Sequence, residues 1–245
     1  MDTGSNAVVN INLSCPSAWS ELTQEQLAFV FSLLASGHSF NEIKTLCFFK
    51  WNGLKVVAHK RNRYLIRMKK SKFIISPPEI NAALTHMAWV ESMPVYPVRL
   101  DRVGKNSALP EDFQGVSFEN YLCCENMYQG YLATKDEAWL NELGCILYDC
   151  KSFEFTPMHR VNIFYWFASL KLYLSAQFPT FFQPADSSSD GGTNPVAAMN
   201  AQIRALTKGD ITKESAVLSM DCWRALAELE AQAKEYEEMK KIYKS

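Results

Sequence analysis

Apolar residues recur at helical spacing along most of the chain, and residues that favour helix ends lie between the apolar runs. Residues 23 to 52 contain two such runs, and each begins with a capping box, one at Thr23 and one at Ser39. A glycine follows each run, Gly37 after the first and Gly53 after the second. The pattern therefore predicts a helical hairpin over residues 23 to 52.

The hydrophobic period then shortens from about 3.6 to about 2 residues. Three short alternating runs cover residues 54 to 59, 64 to 68 and 72 to 75, and basic turn segments separate them. This arrangement predicts a small antiparallel β-meander over residues 54 to 75. A weaker alternation over residues 8 to 13 predicts one further short strand.

Helical spacing resumes after the meander. A helix is expected to begin at Ser76, with proline in its first turn, and to end before Pro94. Residues 94 to 110 contain several prolines and little periodicity, which predicts an extended connection. Further helices are expected from Phe113 onward, the second of them with a capping box at Thr134.

The most apolar helix is expected to begin at Thr156 and to end at Phe178-Pro179. Its apolar residues cover most of its circumference, which is typical of a helix at the centre of a bundle. An aromatic run such as Phe164 to Phe167 can also line a ligand pocket, but packing in a core is its commoner use.

Residues 183 to 195 are rich in Ser, Asp, Gly and Pro and predict a flexible linker. A short helix is expected after it, followed by a long helix that begins at Asp210 or Thr212. The predicted fold is mainly α with a small antiparallel β-meander (α+β). It has a helical body over residues 1 to 182, and the linker joins the body to a C-terminal helical segment over residues 196 to 245.

The long C-terminal helix carries a heptad-like apolar seam. A helix on a flexible linker must bury such a seam against its own body, a second copy or another protein. Both packing within the chain and binding to a partner therefore stay open. The candidate contact residues for a partner are Trp223, Leu226, Leu229 and Tyr236.

The overall composition is ordinary, and the informative feature is how the charged residues are distributed along the chain. The chain has 245 residues, 48% hydrophobic and 13% aromatic, which is ordinary for a globular protein. It carries 25 Lys and Arg against 26 Asp and Glu, a net charge of −1, which disfavours a dedicated polyanion binder. The charges are nevertheless segregated, because residues 111 to 154 are strongly acidic whereas residues 54 to 72 contain no acidic residue. The basic residues of that segment are Lys55, Lys60, Arg61, Arg63, Arg67, Lys69, Lys70 and Lys72.

Three interpretations of this basic patch remain open. The cations are solvated, or paired with the acidic segment of the same chain, as is common for charged strand edges. Alternatively they bind an acidic protein partner. In the third interpretation they follow nucleic-acid phosphates, with Tyr64 and Phe73 stacking on bases.

The sequence contains no motif that marks catalysis or a cofactor. It has no Walker A loop, no GxGxxG, no GxSxG and no HExxH. The seven cysteines form no CxxC pair and the four histidines are scattered, so we expect reduced thiols and no metal site. We therefore predict a protein without catalytic residues or cofactors. An enzyme whose site is assembled only in space is the alternative.

The sequence gives two expectations about location. No apolar stretch reaches the roughly 18 residues that a membrane span needs. The first residues lack the basic and apolar regions of a secretory signal. We therefore expect a cytoplasmic protein with no membrane contact.

Several stretches together resemble uncharacterised proteins encoded in prophage-like elements of Bacteroides-type bacteria, from the tail module. These stretches are Pro16-Ser17-Ala18-Trp19-Ser20-Glu21-Leu22-Thr23, Phe118-Glu119-Asn120-Tyr121, Ile203-Arg204-Ala205-Leu206-Thr207-Lys208-Gly209-Asp210 and Met220-Asp221-Cys222-Trp223-Arg224-Ala225-Leu226. The resemblance covers most of the chain and implies a structural or tail-assembly role, as an adaptor or chaperone-like factor that acts through protein–protein contacts. It further implies a protein in the cytoplasm of a bacterial host or associated with the virion, and phage tail proteins or further copies of itself as partners. It carries over no catalytic residues.

Overall fold

The computed structural model describes residues 13 to 183 and 195 to 243. The described part of the chain is mainly α with a small antiparallel β-meander, as predicted, and it also contains a two-stranded antiparallel sheet. It forms two compact units. Of the described residues, those up to Gln26 and His38–Ser92 form the first unit, and Leu27–Gly37 with those from Met93 onward form the second. The predicted strand at residues 8 to 13 lies almost entirely outside the described residues, as does most of the predicted linker.

The first unit contains the meander and the helices that adjoin it in sequence. A short 3₁₀ helix at Trp19–Glu21 precedes them. The elements that follow in this unit are α2 (Phe40–Trp51), β1 (Leu54–Lys60), β2 (Arg63–Met68), β3 (Ser71–Ile75) and α3 (Pro77–Thr85). The strands form one sheet in the order β1-β2-β3, and both strand pairs are antiparallel. The predicted meander is therefore confirmed.

One face of this sheet contributes to the core of the first unit. Leu54, Ile66 and Ile75 are buried on it. Helix α2 contacts β1 and α3, and it buries Ile43 and Phe48. The capping box predicted at Ser39 is formed, which fixes the start of α2.

The second unit is a helical bundle. It contains α1 (Gln24–Ala35, from Leu27 onward), a two-stranded hairpin of β4 (Arg102–Val103) and β5 (Asn106–Ser107), α4 (Phe118–Thr134), α5 (Ala138–Leu147), α6 (Pro157–Gln177), α7 (Pro195–Thr207), α8 (Glu214–Leu218) and α9 (Cys222–Ile242). Helix α6 buries Ile163, Trp166, Phe167 and Leu170, and α4, α5 and α9 contribute buried residues to the same core. The central position predicted for the aromatic helix is confirmed.

The core of the second unit contains a buried polar cluster. The Asn162 side chain on α6 accepts a hydrogen bond from the Leu100 N–H at 2.9 Å and donates one to the Tyr148 hydroxyl at 2.7 Å. The Tyr148 hydroxyl donates to the Leu100 carbonyl at 2.9 Å. All three groups are thus satisfied although Asn162 and Tyr148 are fully buried.

Two local predictions in the second unit are wrong. The expected extended connection contains the β4–β5 hairpin. The capping box expected at Thr134 is not formed, because α4 continues through that residue and its hydroxyl donates to the Gly130 carbonyl. Lys135 then ends the helix in the left-handed conformation, with φ of 59°.

The long helix predicted from Asp210 or Thr212 is interrupted. Asp210 caps a short 3₁₀ turn, α8 follows, and α9 begins only at Cys222. The interruption has a tertiary cause. The Met220 carbonyl accepts the Phe118 N–H at 2.7 Å, and the Cys222 N–H donates to the Val116 carbonyl at 2.8 Å. These bonds hold the segment extended beside the start of α4.

Candidate partner-binding site

The register of the meander assigns each strand residue to one of two faces. The inner face contains the buried Leu54, Ile66 and Ile75. The opposite face, called the outer face from here on, carries Lys55, Ala58, Lys60, Arg63, Leu65, Arg67, Lys72 and Ile74. A bulge at Val57 keeps the last residues of β1 in phase with β2.

Three cations stand side by side on the outer face. Arg67 pairs with Lys55 on one neighbouring strand and with Lys72 on the other. Adjacent strands lie about 4.8 Å apart, so this cation row places three like charges within about 10 Å. Directly opposed like charges destabilise a sheet. The row therefore has an energetic cost that an anionic partner would offset.

A second group of cations lies at the other end of the same face. Lys60 pairs with Arg63 across the two strands, and Arg61 lies in the turn between them. Ala58, Leu65 and Ile74 form an apolar row between the two basic groups, and Ile74 is 61% exposed. This part of the face borders an open depression of about 630 Å³.

All eight cations of the predicted basic patch are exposed. None of them forms an ion pair within 4 Å with a carboxylate from the described parts of the chain. Arg63 acts on Glu79 only through space. The pKa of that carboxyl is lowered mainly by hydrogen bonds from Ser76 and secondarily by the Arg63 charge.

The acidic segment at residues 111 to 154 uses other cations. Glu111 pairs with Arg99, at 3.0 Å. The other pairs are Glu125 with Lys171 and Glu137 with Arg160. These carboxylates are therefore paired within the second unit, which favours solvation or an external partner for the basic patch.

The turns of the meander hold cations in an unfavourable backbone conformation. Arg61 and Asn62 both have positive φ, 45° and 60°, as in a type I′ hairpin turn. Lys69, in the second turn, has φ of 52°. Glycine and asparagine adopt this region at low cost, whereas Arg and Lys do not. The turns thus carry positive charge at positions where glycine or asparagine would be more stable.

The aromatic residues of the meander lie on the other face. Alternation places Tyr64 and Phe73 on the inner face, and both are half-buried. The Tyr64 ring stacks on His59, with ring centroids 4.6 Å apart. Neither ring shares a face with the cation row, so the stacking expected in the nucleic-acid interpretation has no support from this geometry.

The first half of α9 is buried within the second unit. Leu226 and Leu229 belong to the core of the second unit. The Trp223 indole N–H donates to the Asp112 carbonyl at 2.7 Å, and the ring contacts Tyr173 and Phe178. These side chains are engaged within the chain.

The second half of α9 remains exposed. Tyr236 is 61% exposed, and Met239, Ile242 and Tyr243 are also exposed apolar residues of the last turns. Of the four contact residues predicted on this helix, Tyr236 is therefore the one that is available to a partner.

Three of the four histidines contact residues close to them in sequence. His38 lies 3.9 Å from Glu42, His59 stacks on Tyr64, and His159 completes the cap of α6. Among the described residues, no group of three or more His, Cys, Asp or Glu is arranged to hold a metal ion.

Burial shapes the cysteine chemistry. It is the leading cause that raises the pKa of the thiols of Cys15, Cys47, Cys123, Cys124, Cys150 and Cys222. The pKa of Cys47 reaches about 12. A thiol with a raised pKa is a poor nucleophile at neutral pH, because the thiolate is the reactive form.

The basic patch was predicted from the sequence, but the apolar row between its two basic groups was not predicted. Leu65 and Ile74 look like core residues by type. Their place on the outer face follows from phase, since each lies two positions from a cation of the same strand. That signal was present in the sequence.

None of the helices in the described part of the chain combines the length and apolar character needed to span a bilayer.

Comparison with models of known protein families, with curated proteins and with solved structures finds no match.

Proposed function

We propose that the chain is a non-catalytic interaction protein that holds an acidic surface of a protein partner on the outer face of its meander. The observation that carries this proposal is the cation row of Lys55, Arg67 and Lys72, which is exposed and has no carboxylate partner among the described residues. A partner that brings carboxylates to the row relieves the repulsion within it and gains charge-assisted hydrogen bonds.

The proposed role is that of an adaptor or chaperone-like factor in phage tail assembly. The resemblance to prophage proteins supports this context, and the physical basis is the presence of two separate exposed surfaces. One is the outer face of the meander, and the other is the apolar end of α9 around Tyr236. An adaptor needs two such surfaces, and the proposed site of action is the bacterial cytoplasm or the assembling virion.

The proposal is tested by affinity purification from the native host. The tagged wild type is compared with the triple variant Lys55→Glu, Arg67→Glu and Lys72→Glu. The lysate is treated with nuclease so that nucleic acid cannot bridge proteins. We expect the wild type to retain specific phage-type structural proteins in a salt-sensitive manner and the triple variant to lose them.

A matched control separates the site from overall charge. Lys105→Glu, Lys151→Glu and Lys208→Glu make the same change of charge at exposed positions of the second unit, outside both proposed contact surfaces. Capture of the same proteins by the control but not by the cation-row variant supports the proposal. Equal capture by the cation-row variant and the wild type would show that the outer face is not the contact.

Nucleic-acid binding is the second candidate, because the exposed cations also suit phosphates. It predicts salt-dependent binding of oligonucleotides that Lys60→Ala, Arg61→Ala and Arg63→Ala together weaken. Binding that survives these substitutions would count against this candidate. The position of Tyr64 and Phe73 on the inner face makes it the weaker of the two.

A further inference from the structure

We propose that the outer face recognises an acidic amphipathic helix, which lies across the three strands along the apolar row of Ala58, Leu65 and Ile74. The carboxylates on one flank of that helix contact the cation row, and those on the other flank contact Lys60, Arg61 and Arg63. This inference rests on the proposed function, since it names the partner of the same site.

The width of the face fits a helix. On β2 the apolar row lies two residues from each basic group, because Arg63, Leu65 and Arg67 follow one another on the same face. Two residues of strand span about 6.8 Å, so the two basic groups are about 14 Å apart. An α-helix with its side chains is about 10–12 Å across. A helix on the apolar row therefore has cations within side-chain reach on both sides.

The length of the apolar row sets the size of the contact. Three strands give a row about 10 Å long, which corresponds to about seven residues, or two turns, of helix. Two turns bring three or four side chains of an apolar stripe onto one surface. The partner element is thus a short segment of helix with an apolar stripe between two lines of carboxylates.

The apolar row is the feature that favours a protein over a nucleic acid. Interfaces between proteins have an apolar centre and a charged rim, and the outer face has this arrangement. Ile74, at the β3 end of the apolar row, presents its side chain to solvent, and a phosphate backbone would offer it no apolar contact. The aromatic rings that would stack on bases lie on the inner face.

The strained turns support the same conclusion. Arg61 is held with φ of 45° at the edge of the second basic group. Its side chain lies among the residues that border the depression beside Leu65 and Ile74. A cation at a backbone position with a conformational cost, next to an exposed apolar row, is expected at a surface where both features are used.

The test uses three fluorescein-labelled probes and measures their binding by anisotropy. The first probe is an 18-residue helical peptide with leucines at i, i+3, i+4 and i+7 between lines of glutamates. The second has the same composition in scrambled order, so that its charge is unchanged and its stripe is dispersed. The third is a single-stranded DNA 20-mer. We expect the amphipathic peptide to bind the full chain at least about 10-fold more tightly than the scrambled peptide, which is about 1.4 kcal/mol.

Two single variants isolate the apolar row. Ile74→Thr removes apolar contact from an exposed strand position and keeps a β-branched residue. Val57→Thr makes the same kind of change at the bulge, outside the row. We expect Ile74→Thr to weaken the amphipathic peptide about fivefold without affecting the scrambled peptide, and Val57→Thr to affect neither.

Each of the remaining outcomes of the binding experiment contradicts a different part of the proposal. Equal binding of both peptides, unchanged by Ile74→Thr, overturns the helix inference and leaves the proposed binding of acidic proteins standing. Tighter binding of the DNA than of either peptide, lost in the Lys55→Glu, Arg67→Glu and Lys72→Glu variant, favours the nucleic-acid candidate over both. The absence of binding by all three probes overturns the proposed function together with the inference.

Discussion

At the scale of single residues, the structure places polar groups where their removal has a defined cost. Asn162 was visible in the sequence only as an interruption of an apolar helix. In the structure it satisfies the Leu100 N–H and orients the Tyr148 hydroxyl in the core of the second unit. A buried polar group that bonds two partners at once stabilises one arrangement of the core over its alternatives.

We predict that Asn162→Leu destabilises the protein by about 2–4 kcal/mol, because it leaves the buried Leu100 N–H without an acceptor and removes the donor to the Tyr148 hydroxyl. Tyr148→Phe is the companion variant, since it leaves the Leu100 carbonyl and the Asn162 amide N–H without this partner. It should cost a similar amount. Urea unfolding measures both free energies, and equal stability of Asn162→Leu and the wild type would contradict the role of the cluster.

A second residue-scale prediction concerns the strained turn. Arg61→Gly should stabilise the protein by about 1 kcal/mol, since glycine adopts positive φ without steric cost. The same change should weaken binding of the amphipathic peptide, because it removes a cation from the site. Asn62→Gly, at the next position of the turn, should leave binding unchanged. Thermal unfolding and anisotropy measure the two effects, and a destabilised Arg61→Gly would refute the assignment of strain.

At the scale of elements, the features that could be predicted were those that depend on local sequence patterns. The meander followed from alternation and α2 from its capping box at Ser39. The break before α9 was missed because the hydrogen bonds that cause it join Phe118 to Met220 and Val116 to Cys222. Bonds between distant segments leave no periodic trace in the chain. The same limit applies to Trp223, whose partner Asp112 lies on a distant loop.

The carboxyl group of Glu230 on α9 makes the stability of the protein depend on pH. Burial by itself would raise the pKa of Glu230, but hydrogen bonds from the Phe181 N–H at 2.7 Å and from Lys234 outweigh it. The pKa therefore lies below its ordinary value of 4.5 in the folded state. A carboxyl with a lowered folded pKa contributes stability above its ordinary pKa, and this contribution is lost as the pH falls through the folded value.

We therefore predict that Glu230→Gln lowers the melting temperature at pH 7 and flattens the loss of stability between pH 4.5 and more acidic values. Glu235→Gln, on an exposed position of the same helix, is the control and should change neither. Differential scanning calorimetry across pH 2 to 7 gives both curves. A Glu230→Gln variant with the acid dependence of the wild type would show that this carboxyl does not hold α9 in place.

At the scale of the whole molecule, the two halves of α9 have different roles. The first half is part of a folded unit through Cys222, Ala225, Leu226 and Leu229, all of which are buried. The second half presents Tyr236 and the apolar residues after it to solvent. The helical segment after residues 183 to 195 is thus a structural part of the second unit that ends in an exposed surface.

Two truncations test this division. Removal of residues 222 to 245 takes two leucines from the core, worth about 1.5–3 kcal/mol each, against a total stability of about 5–15 kcal/mol for a typical domain. We expect it to unfold the second unit or to lower its melting temperature by more than about 10 °C. Removal of residues 235 to 245 keeps Glu230 and its partners, so the melting temperature should change by less than about 2 °C. If the exposed end of α9 contacts a partner, the shorter truncation should still reduce capture of that partner in the affinity purification. Full stability after the longer truncation would contradict the packing of α9 into the core.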